Sequence, residues 1–235
     1  MRPASAYSRL SRHLSSHSVP TRRRKPSHER LYREIKARVV AYEFPQGKRI
    51  YLGGIAEEHG TSTWPVRQVF DQLAAEGLVI KAPRKGFYAM TLNEEEVTGW
   101  YLITRHLVSL MLETLGAEAR RRLSEFESIA AVLNRLNRHV VPDPETLATA
   151  TAKIFGHIAD SAEKHPIVAM ISRTNDQLFY LRTLECRILD GIHCELIAFC
   201  ELLLADDLET LVTEFKAYHD RRLAIVPELV ALSRR

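Results

Sequence analysis

The stretch TSTWPVRQVFDQLAAEGLV, residues 61–79, has the pattern of an amphipathic helix. Its first residues offer hydroxyl groups that can cap a helix start, and Pro65 is tolerated in a first turn, where its missing N–H costs little. Apolar residues recur on one face at helical spacing, and Gly77 is typical of a helix end. The pattern predicts a helix over residues 63–76 whose opposite, polar face is either plain solvated surface or a surface that reads a partner.

The neighbouring segments predict the rest of a small domain. Residues 28–43 and about 52–59 have the pattern of two more helices, although Gly53 and Gly54 weaken the second prediction because each glycine costs about 1 kcal/mol relative to alanine. After residue 77 come two β-rich segments, LVIKA and GFYAM, joined by a Pro-Arg-Lys turn. Three short helices followed by a basic-tipped hairpin predict a winged helix-turn-helix over residues 28–91.

Charge is distributed unevenly along the chain. Residues 1–91 hold 17 Lys and Arg against 7 Asp and Glu, a net charge of +10, whereas residues 92–235 hold 16 against 22, a net charge of −6. A basic module followed by an acidic one indicates that the first part meets a polyanion. Residues 1–27 are rich in Ser and Arg and predict a disordered basic arm. The run RRRK at 22–25 is either part of a solvated tail or a phosphate contact. The Ser- and Arg-rich composition of the whole arm is also similar to that of an organellar transit peptide.

The remainder, residues 92–235, predicts an all-helical bundle of about six helices and makes the chain mostly α. The expected helices lie near 93–122, 124–138, 144–164, 167–186, 188–205 and 207–230. Neither a membrane segment nor a disulfide framework is expected. The longest apolar run, residues 195–205, is far shorter than the roughly 20 residues that span a bilayer. The three cysteines form no CxxC pair, which favours reduced thiols in a cytoplasmic protein.

Motifs of catalysis are missing from the sequence. It contains no Gly-rich phosphate loop, no nucleophile elbow and no pair of carboxylates at a catalytic spacing, so we do not expect an enzyme. A helical adaptor that uses its winged helix for protein contacts is the alternative to a DNA-binding protein. The basic excess in the first part of the chain favours DNA.

Three segments of the first domain resemble the DNA-binding domain of GntR-type bacterial transcriptional regulators. They are FPQGKRI, IAEEHGTSTWPVRQVFDQLAAEGLV and APRKGFYAM, which fall within residues 31–90. The helical remainder is similar to the FCD effector domain of the FadR-like branch, in which an Arg early in the first long helix matches Arg105. The resemblance implies a cytoplasmic homodimer that reads an inverted repeat in double-stranded DNA and acts by default as a repressor.

The resemblance and the helix pattern together select the DNA-contact residues. On the helix they are Ser62, Thr63, Trp64, Arg67 and Gln68, and on the wing they are Arg84, Lys85 and Gly86. Arg67 can fork onto a guanine or clamp a phosphate, and Gln68 can pair with an adenine edge. Trp64 either stacks on a sugar or thymine methyl or packs against the second helix. The wing is either an exposed tip or a minor-groove contact. Family members usually carry Arg at position 63 and a small residue at 64, so this chain departs from the family pattern there.

The FCD resemblance also implies a small carboxylate effector in the helical domain, which we take as a combined effector-binding and dimerisation domain. The candidate effector residues are Tyr101, Arg105, His157, His193 and His219. Arg105 is either a carboxylate clamp or half of an internal salt bridge.

FCD domains commonly hold a divalent metal through one Asp and three His. Here Ala152 takes the Asp position, and His157 and His219 each come one residue late, which turns a helical side chain by about 100°. A rearranged zinc or nickel site through His157, His193 and His219 remains one alternative. Three unrelated histidines, or a pocket that binds an organic ligand directly, are the others. No cofactor is certain.

Overall fold

The computed structural model of the 235-residue chain describes residues 26–124, 127–138, 142–161 and 165–234. Most of the predicted basic arm, residues 1–25, lies outside them. The described elements are α1 (His28–Val40), α2 (Leu52–Glu58), α3 (Thr63–Ala75), β1 (Val79–Ala82), β2 (Gly86–Ala89), α4 (Glu94–Glu113), α5 (Ala117–Ser124), α6 (Glu127–Asn137), α7 (Pro144–Ser161), α8 (His165–Glu185), α9 (Ile192–Leu204), α10 (Leu208–Ala224) and α11 (Val226–Leu232).

The first five elements form the predicted winged helix-turn-helix. The apolar face of α3 is fully buried, and Phe70 packs against Phe87 of β2 with ring centroids 5.5 Å apart. The strands pair antiparallel from Val79–Ala89 to Ala82–Gly86. The mostly helical fold with an N-terminal helix-turn-helix is therefore confirmed.

The first helix ends earlier than the sequence pattern predicts. It stops at Val40 rather than residue 43, because Tyr42 adopts a left-handed backbone conformation with φ of 55°. The capping at its start follows expectation, since the Ser27 hydroxyl accepts a hydrogen bond from the Arg30 N–H at 3.3 Å.

The second part holds eight described helices where about six were expected. The predicted helix 93–122 is interrupted at residues 114–116, where Gly116 follows the end of α4. The predicted helix 207–230 is interrupted at Ile225, because Pro227 in the first turn of α11 cannot donate a hydrogen bond to the preceding turn. Residue 191 is a glycine with φ of 79°, and α9 therefore begins at Ile192 rather than 188.

Aromatic residues of several helices form the centre of the bundle. Phe155 of α7, Phe199 of α9 and Phe215 of α10 are all buried, and the Phe155 and Phe215 ring centroids lie 4.9 Å apart. The three cysteines are free thiols, of which only Cys200 is buried. Among the described residues, no helix combines the length and the apolar character needed to cross a bilayer.

Helix α8 connects the bundle to the winged helix. Asp176 forms an ion pair with Lys36 of α1 at 2.7 Å. The Gln177 side-chain amide donates a hydrogen bond at 2.8 Å to the carbonyl oxygen of Gly77, two residues beyond α3. Tyr180 stacks on Tyr42 at a centroid distance of 5.1 Å. The end of α3 is thus held directly by a helix whose other side faces the bundle centre.

Candidate nucleic-acid interface and bundle centre

The outer face of α3 is open to solvent. Thr63, Arg67 and Gln68 are exposed, and Ser62 is the N-cap without a side-chain capping bond. Trp64 is 68% exposed, so its side chain is not packed away against α2. The helix therefore presents polar and aromatic side chains at its N-terminal end, together with N–H groups that an anion can accept from.

The wing tip places two cations beside a glycine. Arg84 and Lys85 are exposed at the end of the hairpin, and Arg84 adopts a left-handed backbone conformation with φ of 61°. Gly86 follows with φ of 101°, a conformation that favours glycine. The turn thus directs two basic side chains away from the domain.

Between the wing and α3 lies a crevice of about 330 Å³ that the sequence reasoning did not identify. Arg49, Tyr51, Thr63, Arg67 and Gly86 are among its lining residues. Position 49 is held there because its backbone forms a β-bridge with Tyr88 of the wing. The sequence signal that could have indicated Arg49 is its place just before Ile50, which is buried in the domain core.

The cations of this crevice and of the wing tip differ from their neighbours in how they are paired. Within the part of the chain that the structure describes, Arg49, Arg67, Arg84 and Lys85 form no ion pair, whereas the nearby Lys81 pairs with Asp71 at 2.7 Å. Four exposed or crevice-lining cations without an ion pair among the described residues make the winged helix attractive to a polyanion.

The bundle centre contains a buried ionic network. Arg222 is completely buried, and it donates to Glu185 at 2.8 Å and to Glu195 at 2.9 Å. The Tyr101 hydroxyl donates to the second oxygen of Glu185 at 2.6 Å. Burial alone lowers the pKa of Arg222, but the carboxylates of Glu185 and Glu195 more than reverse this and raise it. Burial and then the charge of Glu185 hold the pKa of Tyr101 well above its ordinary value.

Three buried polar atoms lie around Phe155 without a hydrogen-bond partner among the described residues. They are Arg182 Nε, the Tyr218 hydroxyl and His219 Nε2. The Arg182 guanidinium lies 5.1 Å from the Phe155 ring centroid, and the Tyr218 and His219 rings lie 5.6 and 5.8 Å from it. We call Arg182, Tyr218 and His219 the orphan cluster. Buried polar groups without partners are uncommon and point to a ligand or a bound water.

The protonation of His219 follows from its surroundings. Burial lowers the pKa of His219 to about 3, so the ring is neutral near pH 7. Nδ1 lies 2.9 Å from the Phe215 carbonyl oxygen, which can only accept, and Nδ1 therefore carries the proton. His219 Nε2 is then an acceptor that lacks a donor. Burial also raises the pKa of Tyr218 to about 12, so its hydroxyl keeps its proton and can donate.

The predicted effector residues do not all lie together. Tyr101 and His219 lie at the bundle centre, but Arg105 forms an ion pair with the exposed Asp220 of α10 at 3.0 Å. This is the internal salt bridge that the sequence left as an alternative. His157 and His193 are half-buried and bond to the carbonyl oxygens of Leu123 and Leu136.

The three histidines considered as metal ligands are not assembled into a metal site. Across the described ranges, no group of three His, Cys, Asp or Glu side chains could hold a metal ion. His157 contacts α5, His193 contacts the end of α6, and His219 bonds within α10.

Sequence reasoning missed Arg182, Glu185 and Arg222. Each lies on an apolar stripe at helical spacing: Arg222 follows Phe215 and Tyr218 on α10, and Arg182 and Glu185 follow Leu178 on α8. A charged residue on an otherwise apolar stripe is the signal that could have found them, since such a charge must be paired in the core.

Comparisons with known proteins agree with this geometry. Residues 27–89 match the family of bacterial regulatory proteins described as the gntR family. An uncharacterized HTH-type transcriptional regulator of Bacillus subtilis (strain 168), YdhC, is 23% identical over 161 residues, which cover 68% of this chain and 71% of that protein.

Two solved structures share the fold. A putative transcriptional regulator GntR from Rhodococcus sp. RHA1 superposes with a TM-score of 0.71 at 15% identity, covering 86% of this chain and 97% of the other. The E. coli protein McbR/YncC superposes with a TM-score of 0.59 at 16% identity, covering 86% and 97%.

The helix-turn-helix fold of residues 27–89 and the matches to regulators indicate a DNA-binding transcription regulator of the helix-turn-helix class. Within that class, the winged helix-turn-helix of residues 27–89 is similar to that of the gntR family of bacterial regulatory proteins. The matched family and the relatives are regulators rather than enzymes, as predicted.

Proposed function

We propose that the chain is a homodimeric, sequence-specific repressor whose helical part is an FCD-type effector domain of the FadR-like branch. In this proposal a small carboxylate, bound in the helical domain, controls DNA binding. The observation that carries the DNA-binding part is the set of four cations of the crevice and the wing tip that form no ion pair among the described residues: Arg49, Arg67, Arg84 and Lys85.

The proposed complex places α3 in the major groove. A groove about 12 Å wide admits a helix, and Arg67 then reaches a guanine edge or a phosphate while Gln68 reaches an adenine edge. The exposed Trp64 meets a sugar or a thymine methyl. The wing residues Arg84 and Lys85 enter the adjacent minor groove, where Gly86 permits close approach of the backbone. Two copies related by two-fold symmetry would read the halves of an inverted repeat.

A salt titration tests the DNA-binding part. Duplexes selected by the purified chain from a random library are bound in a filter assay between 50 and 200 mM salt. Binding should weaken by about 10³-fold or more if six or more phosphates are contacted, because each contact releases counterions. A flat response, or no selected duplex, would rule out the proposal in favour of the protein-binding adaptor. Light scattering of the same sample checks the dimer.

The effector part of the proposal is supported by the orphan cluster. Arg182 Nε and the Tyr218 hydroxyl supply two donors for a carboxylate, and His219 Nε2 supplies an acceptor. We therefore propose an organic acid that also carries a hydroxyl or amine donor. Arg105, expected to clamp the carboxylate, already has Asp220 as its partner.

Helix α8 offers a route from the effector to DNA. Arg182 lies on its bundle side, while Asp176 and Gln177 hold Lys36 and Gly77 of the winged helix. An acid that binds one arrangement of α8 more tightly than another shifts the equilibrium between the two arrangements, and with it the placement of α3. The size of this shift is set by the difference between the two affinities.

Thermal-shift screening tests the effector. Hydroxy and amino acids should raise the unfolding midpoint more than acids of equal size without a donor, and Arg182→Met should abolish the rise. Arg187→Met, which changes an exposed arginine on the turn after α8, should keep it. If no acid shifts the midpoint, or if Arg182→Met responds as the parent does, the orphan cluster is not the effector site.

A further inference from the structure

Tyr51 is the most exposed large hydrophobic side chain among the described residues and has no assigned role. It is 77% exposed, it is the residue before α2, and its side chain makes no capping hydrogen bond. It lines the crevice beside Arg49, Thr63 and Arg67. An aromatic ring held in solvent next to unpaired cations is a feature that folding alone does not require.

Two glycines create the place where the Tyr51 ring lies. A Cβ built on Gly53 would be 2.7 Å from both Cζ and Oη of Tyr51, and one built on Gly54 would be 3.3 Å from Cδ1. The ring therefore occupies the space that side chains at these two positions would need. We call Gly53 and Gly54 the glycine platform.

Backbone conformation does not explain why positions 53 and 54 are glycines. Neither Gly53 nor Gly54 has a positive φ, so any residue could adopt their backbone conformation. Each glycine costs about 1 kcal/mol relative to alanine inside a helix, and α2 has only seven residues. The room for the Tyr51 ring is the feature of the structure that accounts for both glycines.

We propose that Tyr51 is a DNA-contact residue, seated on the glycine platform so that its hydroxyl donates to a phosphate oxygen at the mouth of the crevice. Tyrosine hydroxyls are among the usual donors to phosphate, and this hydroxyl has no partner among the described residues. The cations Arg49 and Arg67 line the same crevice, which therefore favours an anionic group there. The inference rests on the proposed DNA-binding function and adds a contact outside the recognition helix.

The test measures by fluorescence anisotropy how variants of the full chain bind a 30-base-pair duplex that the parent chain has selected from a random library. Tyr51→Ala and Tyr51→Phe should each weaken binding about threefold to tenfold, the range of one hydrogen bond. Because the lost contact is neutral, the slope of affinity against salt should not change, whereas loss of an arginine contact lowers it by about one.

Gly53→Ala separates the platform from stability. The added Cβ displaces the ring, so DNA binding should weaken as in Tyr51→Ala, while the unfolding midpoint should rise because alanine favours the helix. Gly99→Ala is the matched control. Gly99 is also helical and has open space at its Cβ, so this variant should gain stability without a change in binding.

The double variant decides between the ring and the glycine itself. Gly53→Ala should cause no further loss in a Tyr51→Ala background. An equal further loss there would overturn the platform, since Gly53 would then act through its own contact with DNA. Binding by Tyr51→Phe or Tyr51→Ala that equals the parent would overturn the hydroxyl contact. A parent chain that selects no duplex from the library would instead contradict the proposed function.

Discussion

Arginines serve opposite purposes in the two parts of this molecule. Around α3, Arg67 is exposed and forms no ion pair within the described part of the chain. In the bundle, Arg222 is completely buried and shares two carboxylates, Glu185 and Glu195. The outer face keeps charge available for a partner that brings its own negative charges. The centre pairs Arg222 internally, and it leaves the buried Arg182, which has no carboxylate partner among the described residues, for an anionic ligand.

The comparison also shows that placement matters more than the charge count. The net charge of +10 over residues 1–91 consists of +7 in residues 1–27 and only +3 in residues 28–91. The winged helix is therefore only mildly basic. Several of its other cations form ion pairs, namely Lys36 with Asp176 of α8, Arg38 with Glu58, and Lys81 with Asp71. The cations of the crevice and the wing form none among the described residues, and the positive face arises from them.

The largest expected effect comes from breaking the buried network. Arg222→Met leaves Glu185 buried without its cation and should lower the free energy of unfolding by about 3–5 kcal/mol. Arg221→Met is the control, since Arg221 is its neighbour, is 41% exposed and pairs with Glu195 at the surface. That variant should lose no more than about 1 kcal/mol. Denaturant unfolding measures both. Equal losses of unfolding free energy in the two variants would mean that the buried Arg222 stabilises the fold no more than the exposed Arg221.

A second prediction concerns pH. Burial lowers the pKa of His219 to about 3 from an ordinary value of 6.5. Between these values the unfolded chain binds the extra proton, so stability should fall as the pH drops below 6.5, by about 1.4 kcal/mol per unit or about 2 kcal/mol at pH 5.

The His219 contribution is isolated by comparing variants. The difference in unfolding free energy between the parent and His219→Gln should shrink by about 2 kcal/mol from pH 7 to pH 5. Phe215→Leu alters the same packing without a titratable group, and its difference from the parent should stay constant. A constant difference for His219→Gln as well would show that this ring is not kept neutral by burial.

Local patterns made the winged helix predictable. The apolar spacing of Val66, Phe70 and Leu73, the Gly77 stop and the turn before Gly86 are each decided within a few residues, and all of them hold in the structure. The errors were also local. A single left-handed residue, Tyr42, shortened α1, and Pro227 divided a helix that apolar spacing alone would continue.

The bundle centre was not predictable in the same way. Tyr101 and Glu185 are 84 positions apart, and Glu185 and Arg222 are 37 apart. Which helices bring them together is a property of tertiary packing. Sequence spacing therefore placed Arg105 on the right helix but could not show that Asp220 holds it at the bundle surface.

The third prediction returns to the outer face. Arg67→Ala should cost about 1–3 kcal/mol of DNA affinity, because an unpaired arginine on α3 gives up no internal bond when it binds a base or phosphate. Arg30→Ala is the control, since Arg30 is also exposed but already pairs with Glu34. Affinity is measured on a duplex selected by the parent chain. A matching loss in both variants would indicate bulk charge rather than a specific contact.

The smallest expected effect is that of added metal. His157 and His193 bond to carbonyl oxygens on α5 and α6, and His219 bonds within α10. Among the described residues, no group of three His, Cys, Asp or Glu side chains could hold a shared ion. A real site would stabilise the fold by about 2.7 kcal/mol at 100 times its Kd, a rise of several degrees in the unfolding midpoint. After chelator treatment, Zn²⁺ or Ni²⁺ should leave the midpoint unchanged. A rise that persists in Cys194→Ser, where an exposed thiol is removed, and vanishes in His219→Gln would restore the metal site. The bundle centre would then bind a metal cation. Its difference from the outer face would in that case depend on this ion rather than on Arg222.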